Sequence, residues 1–233
     1  MDGMERGPSS DWDRYADYTP SNPLVRWLFL DVMYRGYRDL LRRANFSGPI
    51  SVLELGAGTG YTTLRLCGSL PIRKITLVDS NGSMLQTARR TLGDVHCEKT
   101  FLQEDVLELP LEERFDLVHS AGLVEHFETP DRERLLRLHA DRTRPGGYCI
   151  VYVPTPTLSY RFWRRLAEGM NVWLYRDEVP LSEDLIVREV GETGLEVLAA
   201  NHFWRGFLTE VGVIARKSVG PGGGLGPDGE DLS

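Results

Sequence analysis

Short apolar runs alternate with helical stretches over most of the chain, a pattern typical of strand-helix-strand units around a mostly parallel sheet. Between the runs, apolar residues recur every three or four positions, as on the buried face of a helix. The predicted strands are Ile50 to Leu55, Lys74 to Val78, Thr100 to Gln103, Phe115 to His119, Tyr148 to Val153, Leu195 to Asn201 and Leu208 to Ala215. The predicted helices are Tyr61 to Leu70, Ser83 to Leu92, Thr129 to Arg142 and Ser182 to Val190. The pattern therefore predicts an α/β fold.

The two ends of the chain differ in composition from its middle. Residues 1–11 and the Gly- and Pro-rich residues 218–233 have little to bury, so we expect both ends to be disordered. Asn22-Pro23 is a good helix start, and one amphipathic helix is predicted from there to about Arg43. We therefore expect one domain over residues 12–217. Residues 12–45 would form an N-terminal helical cap, and residues 154–181 an inserted lid.

Composition and charge argue against several classes of protein. The chain has 233 residues, with 27 basic against 34 acidic side chains and a net charge of −7, which argues against nucleic-acid binding. Its three cysteines show no CxxC spacing and so indicate neither a disulfide framework nor a structural zinc site. We find no cationic leader and no apolar run near the roughly 18 residues that a membrane span needs. We expect a cytoplasmic protein without a membrane partner; the sequence leaves its oligomeric state open.

The first predicted strand runs directly into a loop with glycine at alternate positions, Gly56-Ala57-Gly58-Thr59-Gly60. Glycine has no Cβ, so such a loop lets the backbone approach a ligand closely. Open parallel sheets bind ligands at the carboxyl ends of their strands, where this loop lies. The dinucleotide fingerprint would need glycine in place of Tyr61, and a P-loop would need a Gly-Lys-Ser/Thr that is absent. The loop fits neither nucleotide template.

The pattern Glu-x-Gly-x-Gly-x-Gly, which begins at Glu54, resembles the first motif of class I S-adenosylmethionine-dependent methyltransferases. The resemblance covers roughly residues 50 to 155. It implies a Rossmann-like sheet of seven mostly parallel strands, with helices on both faces and the last strand antiparallel. It also implies S-adenosylmethionine as cofactor. In that family the glycine loop, here Gly56, Ala57, Gly58 and Gly60, wraps the methionine moiety, and the acidic residue at Glu54 helps to hold the amino group.

A second acidic residue, Asp79, ends the second predicted strand. A carboxylate there can accept hydrogen bonds from both ribose hydroxyls, and the resemblance gives Asp79 that role. Ser80 and Met84 would then lie beside the adenine, with Met84 offering an adaptable apolar face. The alternative is that Asp79 only caps the helix that follows.

Two later segments extend the resemblance. Gln103-Glu104-Asp105-Val106 resembles the adenine-reading segment, which implies that Asp105 accepts from the exocyclic amine and that the Val106 amide reaches a ring nitrogen. The alternative for Asp105 is a carboxylate that only shapes a turn. The segment from Phe115 matches the fourth-strand motif, and Ser120 at its end is added to the cofactor site.

The methyl acceptor should lie beyond the fourth strand. A sulfonium methyl is already activated, so the protein mainly has to hold the acceptor in line with the methyl–sulfur bond. His126, next to Glu125, is the candidate base for a hydroxyl or thiol acceptor. The alternative is that both are polar residues opening a helix. Two adjacent ligands do not make a metal site, so we predict no metal.

Aromatic residues mark two segments outside the common core. Tyr15 and Tyr18 precede the first helix, and Tyr160 and Trp163 lie in the insertion at 154–181. Such rings suit a lid that excludes water around an apolar acceptor, so we expect these four residues to contact it. The alternative is that the rings only dock an extra helix onto the sheet.

These observations favour an enzyme that methylates a small-molecule acceptor. Two alternatives stay open. Arginine clusters would support methylation of RNA or protein, although no recognisable nucleic-acid module accompanies them. A fold retained for binding S-adenosylmethionine or for scaffolding, without turnover, would keep the same cofactor residues.

Overall fold

The structure is a computed structural model that describes residue 12 and residues 32–171, 173, 175–205 and 208–220. The strands are β1 (Ile50–Leu55), β2 (Ile72–Asp79), β3 (Glu98–Gln103), β4 (Phe115–Ala121), β5 (Thr143–Pro154), β6 (Glu196–Arg205) and β7 (Leu208–Arg216). The helices are α1 (Val32–Leu41), α2 (Tyr61–Cys67), α3 (Gly82–Thr91), α4 (Thr129–Arg142), α5 (Leu158–Gly169) and α6 (Glu183–Glu192). The predictions for residues 1–11, for the helix start at Pro23 and for residues 221–233 lie outside the described residues. None of the helices in the described ranges has the length and apolar character that crossing a membrane requires.

All the strands belong to one seven-stranded sheet of order β3-β2-β1-β4-β5-β7-β6. β1 pairs in parallel with β2 and β4, and the outer pairs β2–β3 and β4–β5 are also parallel. β7 pairs antiparallel with both β5 and β6, so it runs against the rest of the sheet. The predicted fold, with a mostly parallel sheet and an antiparallel last strand, is confirmed. The order reverses between β1 and β4, the place where open α/β sheets form a ligand crevice.

Helices cover both faces of the sheet. Side chains alternate between the faces along a strand, so Leu53 and Leu55 of β1 pack in the cluster that includes α4 and α6. Val52 faces the other way, in the cluster formed with Tyr37 and Leu40 of α1. α3 extends this second face over β2. The ends of β1, β2 and β4 are thereby fixed between two apolar layers.

The largest differences between the predicted and the observed element boundaries lie in β6 and β5. β6 was predicted to end at Asn201, yet it continues to Arg205, with Phe203 paired to Glu210 of β7. The residues after Asn201 were predicted to join the two strands, but in a hairpin the neighbouring strand supplies backbone partners that sustain a strand. β5 begins at Thr143, which pairs with Phe115, because the predicted helix stop 144–147 lies within the strand as an irregular stretch.

Candidate active site

The glycine loop joins β1 to α2 with left-handed backbone at Gly56 (φ 64°) and Gly58 (φ 52°), a conformation that favours glycine. A Cβ built on Gly58 would meet no atom of the described residues within 4 Å, so a ligand can approach the backbone here. A Cβ on Gly56 would lie 2.7 Å from Cδ1 of Leu123, in the turn after β4. The loop therefore opens on one side and packs against the turn after β4 on the other.

Asp79 ties the end of β2 to this loop. One carboxylate oxygen accepts the Gly58 amide at 2.7 Å, and the other accepts the Asn81 amide at 2.9 Å. Burial raises the pKa of Asp79, although the two amide bonds act to lower it. The cap of α3 is Asn81, whose side chain accepts the Met84 amide at 2.9 Å. The residue that caps the helix is therefore Asn81 and not Asp79. Asp79 instead fixes the glycine loop by accepting the Gly58 amide.

Glu54 lies at the end of β1 with only 2% of its surface exposed. Its Oε2 accepts the Thr63 hydroxyl at 2.6 Å. Burial raises the pKa of Glu54 to about 8, and the charge of Asp79 adds to the rise while the Thr63 bond opposes it. His119 Nδ1 lies 3.9 Å from Oε1, but burial lowers the pKa of His119 to about 3, so this ring is uncharged and does not compensate the carboxylate. A cationic amino group fits this carboxyl.

Three polar residues that the sequence analysis missed, Thr63, His119 and Tyr37, form a series of contacts beside Glu54. Thr63 Oγ1 lies 3.3 Å from His119 Nε2, and the Tyr37 hydroxyl lies 3.4 Å from Nδ1 of the same ring. The Thr63 hydroxyl donates its proton to Glu54, so this threonine links the carboxyl to the buried imidazole. The signal in the sequence was a histidine inside a predicted buried strand, where a polar side chain needs partners.

The expected adenine side lies across β2 and β3. Asp79 pairs with Gln103 in the sheet, so the two strand ends that carry the ribose and adenine motifs are neighbours. Ser80 is exposed, and its carbonyl accepts Gln103 Nε2 at 3.4 Å. Met84 is buried in α3. The structure thus brings Asp79, Ser80 and Met84 together, and their contacts with adenosine stay predictions.

Asp105 is exposed and accepts the Leu107 amide at 2.9 Å, which caps the short 3-10 turn Val106–Glu108. This bond is the turn-shaping contact that the alternative for Asp105 describes. Val106 is buried behind it. One oxygen of the Asp105 carboxylate is thus used within the turn. The adenine contacts of Asp105 and Val106 remain predictions.

Ser120 faces away from Glu54. It is buried on the opposite side of the sheet, and its hydroxyl lies 2.9 Å from Nε2 of His139 in α4. Its backbone carbonyl accepts the Tyr37 hydroxyl at 3.1 Å. The structure therefore does not bring the Ser120 side chain to the side of Glu54.

The expected acceptor end is built around the 3-10 turn Val124–His126 after β4. The Glu125 carbonyl accepts the Val179 amide at 3.0 Å, which joins the turn to the insertion at 154–181. His126 Nδ1 lies 3.2 Å from the Asp177 carboxylate, and the Trp12 ring lies 5.1 Å from the imidazole. Burial acts to lower the pKa of His126, but Asp177, Glu125 and Glu178 outweigh it and raise that pKa.

The rings expected in the lid are placed differently. Tyr160 is the buried residue of α5, and its hydroxyl donates to Glu178. Trp163 is half-buried, with its ring 5.2 Å from that of Phe162. The contacts of Tyr160 fit the alternative that it docks the helix. Tyr15 and Tyr18 lie outside the described residues.

A third carboxyl joins the Glu125-His126 pair. Each of Glu125, His126 and Glu178 offers a ligand atom, and these atoms all lie within 4.8 Å of one another. The prediction of no metal rested on two adjacent ligands alone, because no pattern in the sequence indicates that the insertion brings Glu178 to them. This trio could hold a cation.

Known proteins are similar to this chain in sequence and in fold. Residues 52–147 match the family described as a methyltransferase domain. Trans-aconitate 2-methyltransferase of Methylobacterium nodulans is 32% identical over 160 residues, which are 68% of this chain and 56% of that protein. Malonyl-[acyl-carrier protein] O-methyltransferase of Haemophilus ducreyi is 35% identical over 161 residues, 67% of this chain and 58% of that protein. The chain thus spans about half the length of these curated relatives.

Solved methyltransferases share the fold at low sequence identity. Magnesium protoporphyrin IX methyltransferase of Synechocystis, with bound S-adenosylhomocysteine, has a TM-score of 0.68 at 14% identity and covers 89% of this chain and 94% of its own. An N-methyltransferase of Bradyrhizobium japonicum, also in complex with S-adenosylhomocysteine, has a TM-score of 0.62 at 17% identity and covers 88% and 98%. Residues 52–147 thus belong to the methyltransferase domain family, and the chain has the fold of class I S-adenosylmethionine-dependent methyltransferases.

Proposed function

We propose that the chain transfers a methyl group from S-adenosylmethionine to a small-molecule acceptor. The open approach to Gly58 beside the buried carboxyl of Glu54 carries this proposal. A cofactor with a cationic amino group can lie against the bare backbone and satisfy the acid at the same time. When bound, S-adenosylmethionine supplies a methyl group on sulfonium sulfur, and the electrons of the broken carbon–sulfur bond stay on sulfur.

Each cofactor role falls on a residue at the carboxyl edge of the sheet. Glu54 holds the amino group, and Asp79 accepts hydrogen bonds from the ribose hydroxyls. Asp79 is already held by the Gly58 amide, so ribose binding and loop shape are linked. Asp105 and Val106 read the adenine. The pairing of Asp79 with Gln103 supports this, because it sets the ribose and adenine segments side by side.

The acceptor lies beside the turn after β4 that carries His126. Leu123 packs against Gly56, so a group bound beside His126 is close to the methionine end of the cofactor. Asp177 at Nδ1 orients the His126 ring and leaves Nε2 to accept a proton from the acceptor atom. This arrangement suits an acceptor that must lose a proton as its lone pair attacks the methyl carbon.

The relatives support a small acceptor. Two of them are named for trans-aconitate and for a malonyl group on a carrier protein. Neither name specifies a nucleic acid. The net charge of −7 points the same way, because it supplies no long-range attraction to a phosphate backbone.

Methyl transfer into cell extract tests the proposal. The purified chain is incubated with tritiated S-adenosylmethionine and extract, which is then separated into metabolite, RNA and protein fractions. We expect enzyme-dependent label in the metabolite fraction. Label in RNA or protein would replace the small-molecule acceptor with a macromolecule. Bound S-adenosylhomocysteine without label in any fraction would favour a binding or scaffolding protein.

A further inference from the structure

Three carboxyl groups from separate parts of the fold converge behind the turn that follows β4. Glu125 lies in that turn, Glu178 in the insertion and Glu210 in β7, and they are 1%, 8% and 8% exposed. Burying several acids together is costly unless cations or hydrogen bonds compensate them. Their surroundings therefore indicate what the site is built to hold.

The basic groups near these acids are engaged by other partners. Arg164 directs Nε to Glu168 at 2.8 Å and Nη1 to the backbone carbonyl of Glu178 at 2.8 Å. The His126 ring contacts Asp177 at 3.2 Å. The Glu178 carboxyl receives the hydroxyl of Tyr160, which carries no charge. The cluster thus contains more carboxyl groups than these two basic side chains pair with.

Glu125 is the carboxyl group whose need for a further partner is most direct. Its Oε2 is buried and has no hydrogen-bond partner in the part of the chain that the structure describes. The ligand atoms of Glu125, Glu178 and His126 lie within 4.8 Å of one another, so this oxygen belongs to a group arranged around one point. Burial raises the pKa of Glu125 to about 8, with Glu178 and Glu210 adding to the rise and His126 opposing it. A cation at that point would satisfy the unpartnered oxygen.

Aromatic rings lie beside the cluster, next to His126 and Tyr160. Trp12 lies 5.1 Å from the His126 ring and 5.8 Å from Tyr175. Trp173 continues the series, 5.7 Å from Tyr175 and 6.1 Å from Tyr160. Aromatic faces combined with carboxylates recognise organic ammonium groups, whereas a metal ion needs only the ligand atoms.

We propose that Glu125 and Glu178, with the rings of Trp12 and Tyr175, bind a positively charged nitrogen of the methyl acceptor. The acceptor is then an amine, in contrast to the acids that the relatives' names specify. Placing the amine on the acceptor rests on the proposed function. Binding of the cation itself does not, and it is measured without turnover.

Two probes that carry the same phenol ring but opposite charges test this site. Tyramine is cationic at neutral pH, and 4-hydroxyphenylacetate is its anionic counterpart. Both are titrated calorimetrically into protein saturated with S-adenosylhomocysteine, with manganese chloride as a third probe. We expect tyramine to bind at least about tenfold more tightly than the anion, because a charge-assisted hydrogen bond contributes that much.

Matched variants locate the binding. Glu125→Gln keeps the shape of the side chain and removes its charge, so we expect tyramine to bind at least about tenfold more weakly. Glu178→Gln should act the same way and provides a second test if the first variant folds poorly. Glu128→Gln, at an exposed position three residues along, should bind tyramine as the unchanged protein does.

Several results would overturn the proposal. Equal or tighter binding of the anion would do so, and so would tyramine binding that both variants retain. Manganese binding that Glu125→Gln abolishes, with no tyramine binding, would make this a metal site instead. Failure of S-adenosylhomocysteine to bind in the first place would count against the proposed function and is recorded separately from the amine titration.

Discussion

The raised pKa of Glu54 makes cofactor binding depend on pH. With a pKa of about 8, this carboxyl is mostly protonated at neutral pH when no cofactor is bound. The cationic amino group of the cofactor needs the carboxylate, so binding releases a proton. Because the free protein holds more protons than the complex, affinity must rise as pH rises toward 8.

The size of the effect follows from the distance between pH and pKa. Ionising Glu54 at pH 7 costs about 1.4 kcal/mol when its pKa is one unit higher, which weakens binding about tenfold. Between pH 6 and pH 7.5 the affinity should rise about 20-fold, and close to one proton should be released per cofactor bound at pH 7. The range ends at pH 7.5 because an α-amino group itself titrates at about 7.7–8.0.

Titration calorimetry with S-adenosylhomocysteine measures both quantities. Repeating the titration in buffers of different ionisation enthalpy gives the number of protons released. In Glu54→Gln, which cannot ionise, binding should be weaker and should no longer change with pH over this range. An affinity that stays flat from pH 6 to 7.5 in the unchanged protein, with no proton released, would refute the reasoning.

Other substitutions test neighbouring parts of the account. Gly58→Ala fills the open approach to the loop and should weaken S-adenosylhomocysteine binding about tenfold or more, whereas Gly194→Ala, also at positive φ with open space around it, should leave binding unchanged. Thr63→Val should weaken the same binding by about 1.5–3 kcal/mol and Thr63→Ser should preserve it, because the hydroxyl donates to the Glu54 carboxyl. Arg132→Met leaves a buried carboxylate of α6 unpaired and should cost about 3–5 kcal/mol in chemical denaturation, while Arg134→Met at an exposed pair should change stability by less than about 0.5 kcal/mol.

Local patterns determined how well the fold could be predicted. β1 matches its prediction at both ends, because its apolar run meets a glycine loop, and α4 does so because Thr129-Pro130 starts it. The predicted end of β6 was wrong because the last residues of this strand are sustained by pairing with β7. Such boundaries depend on pairing across the sheet, which periodicity along one segment does not contain.

The same distinction applies to the site. Glu54 and the glycine loop are adjacent in sequence and could be recognised together. The contact of Tyr37 with His119 joins residues 82 apart, and Glu178 reaches Glu125 from a separate insertion. Contacts of this kind arise from the packing of whole elements against the sheet. From the sequence we can therefore infer that a residue is polar and lies in a buried element, but not which partners it contacts.

A crystal structure of the chain with S-adenosylhomocysteine tests the central claim most directly. The account predicts electron density for the nucleoside along the glycine loop, with its amino group at the Glu54 carboxylate and its ribose hydroxyls at Asp79. Electron density for the nucleoside elsewhere in the molecule, with no contact to Glu54 or Asp79, would contradict the account.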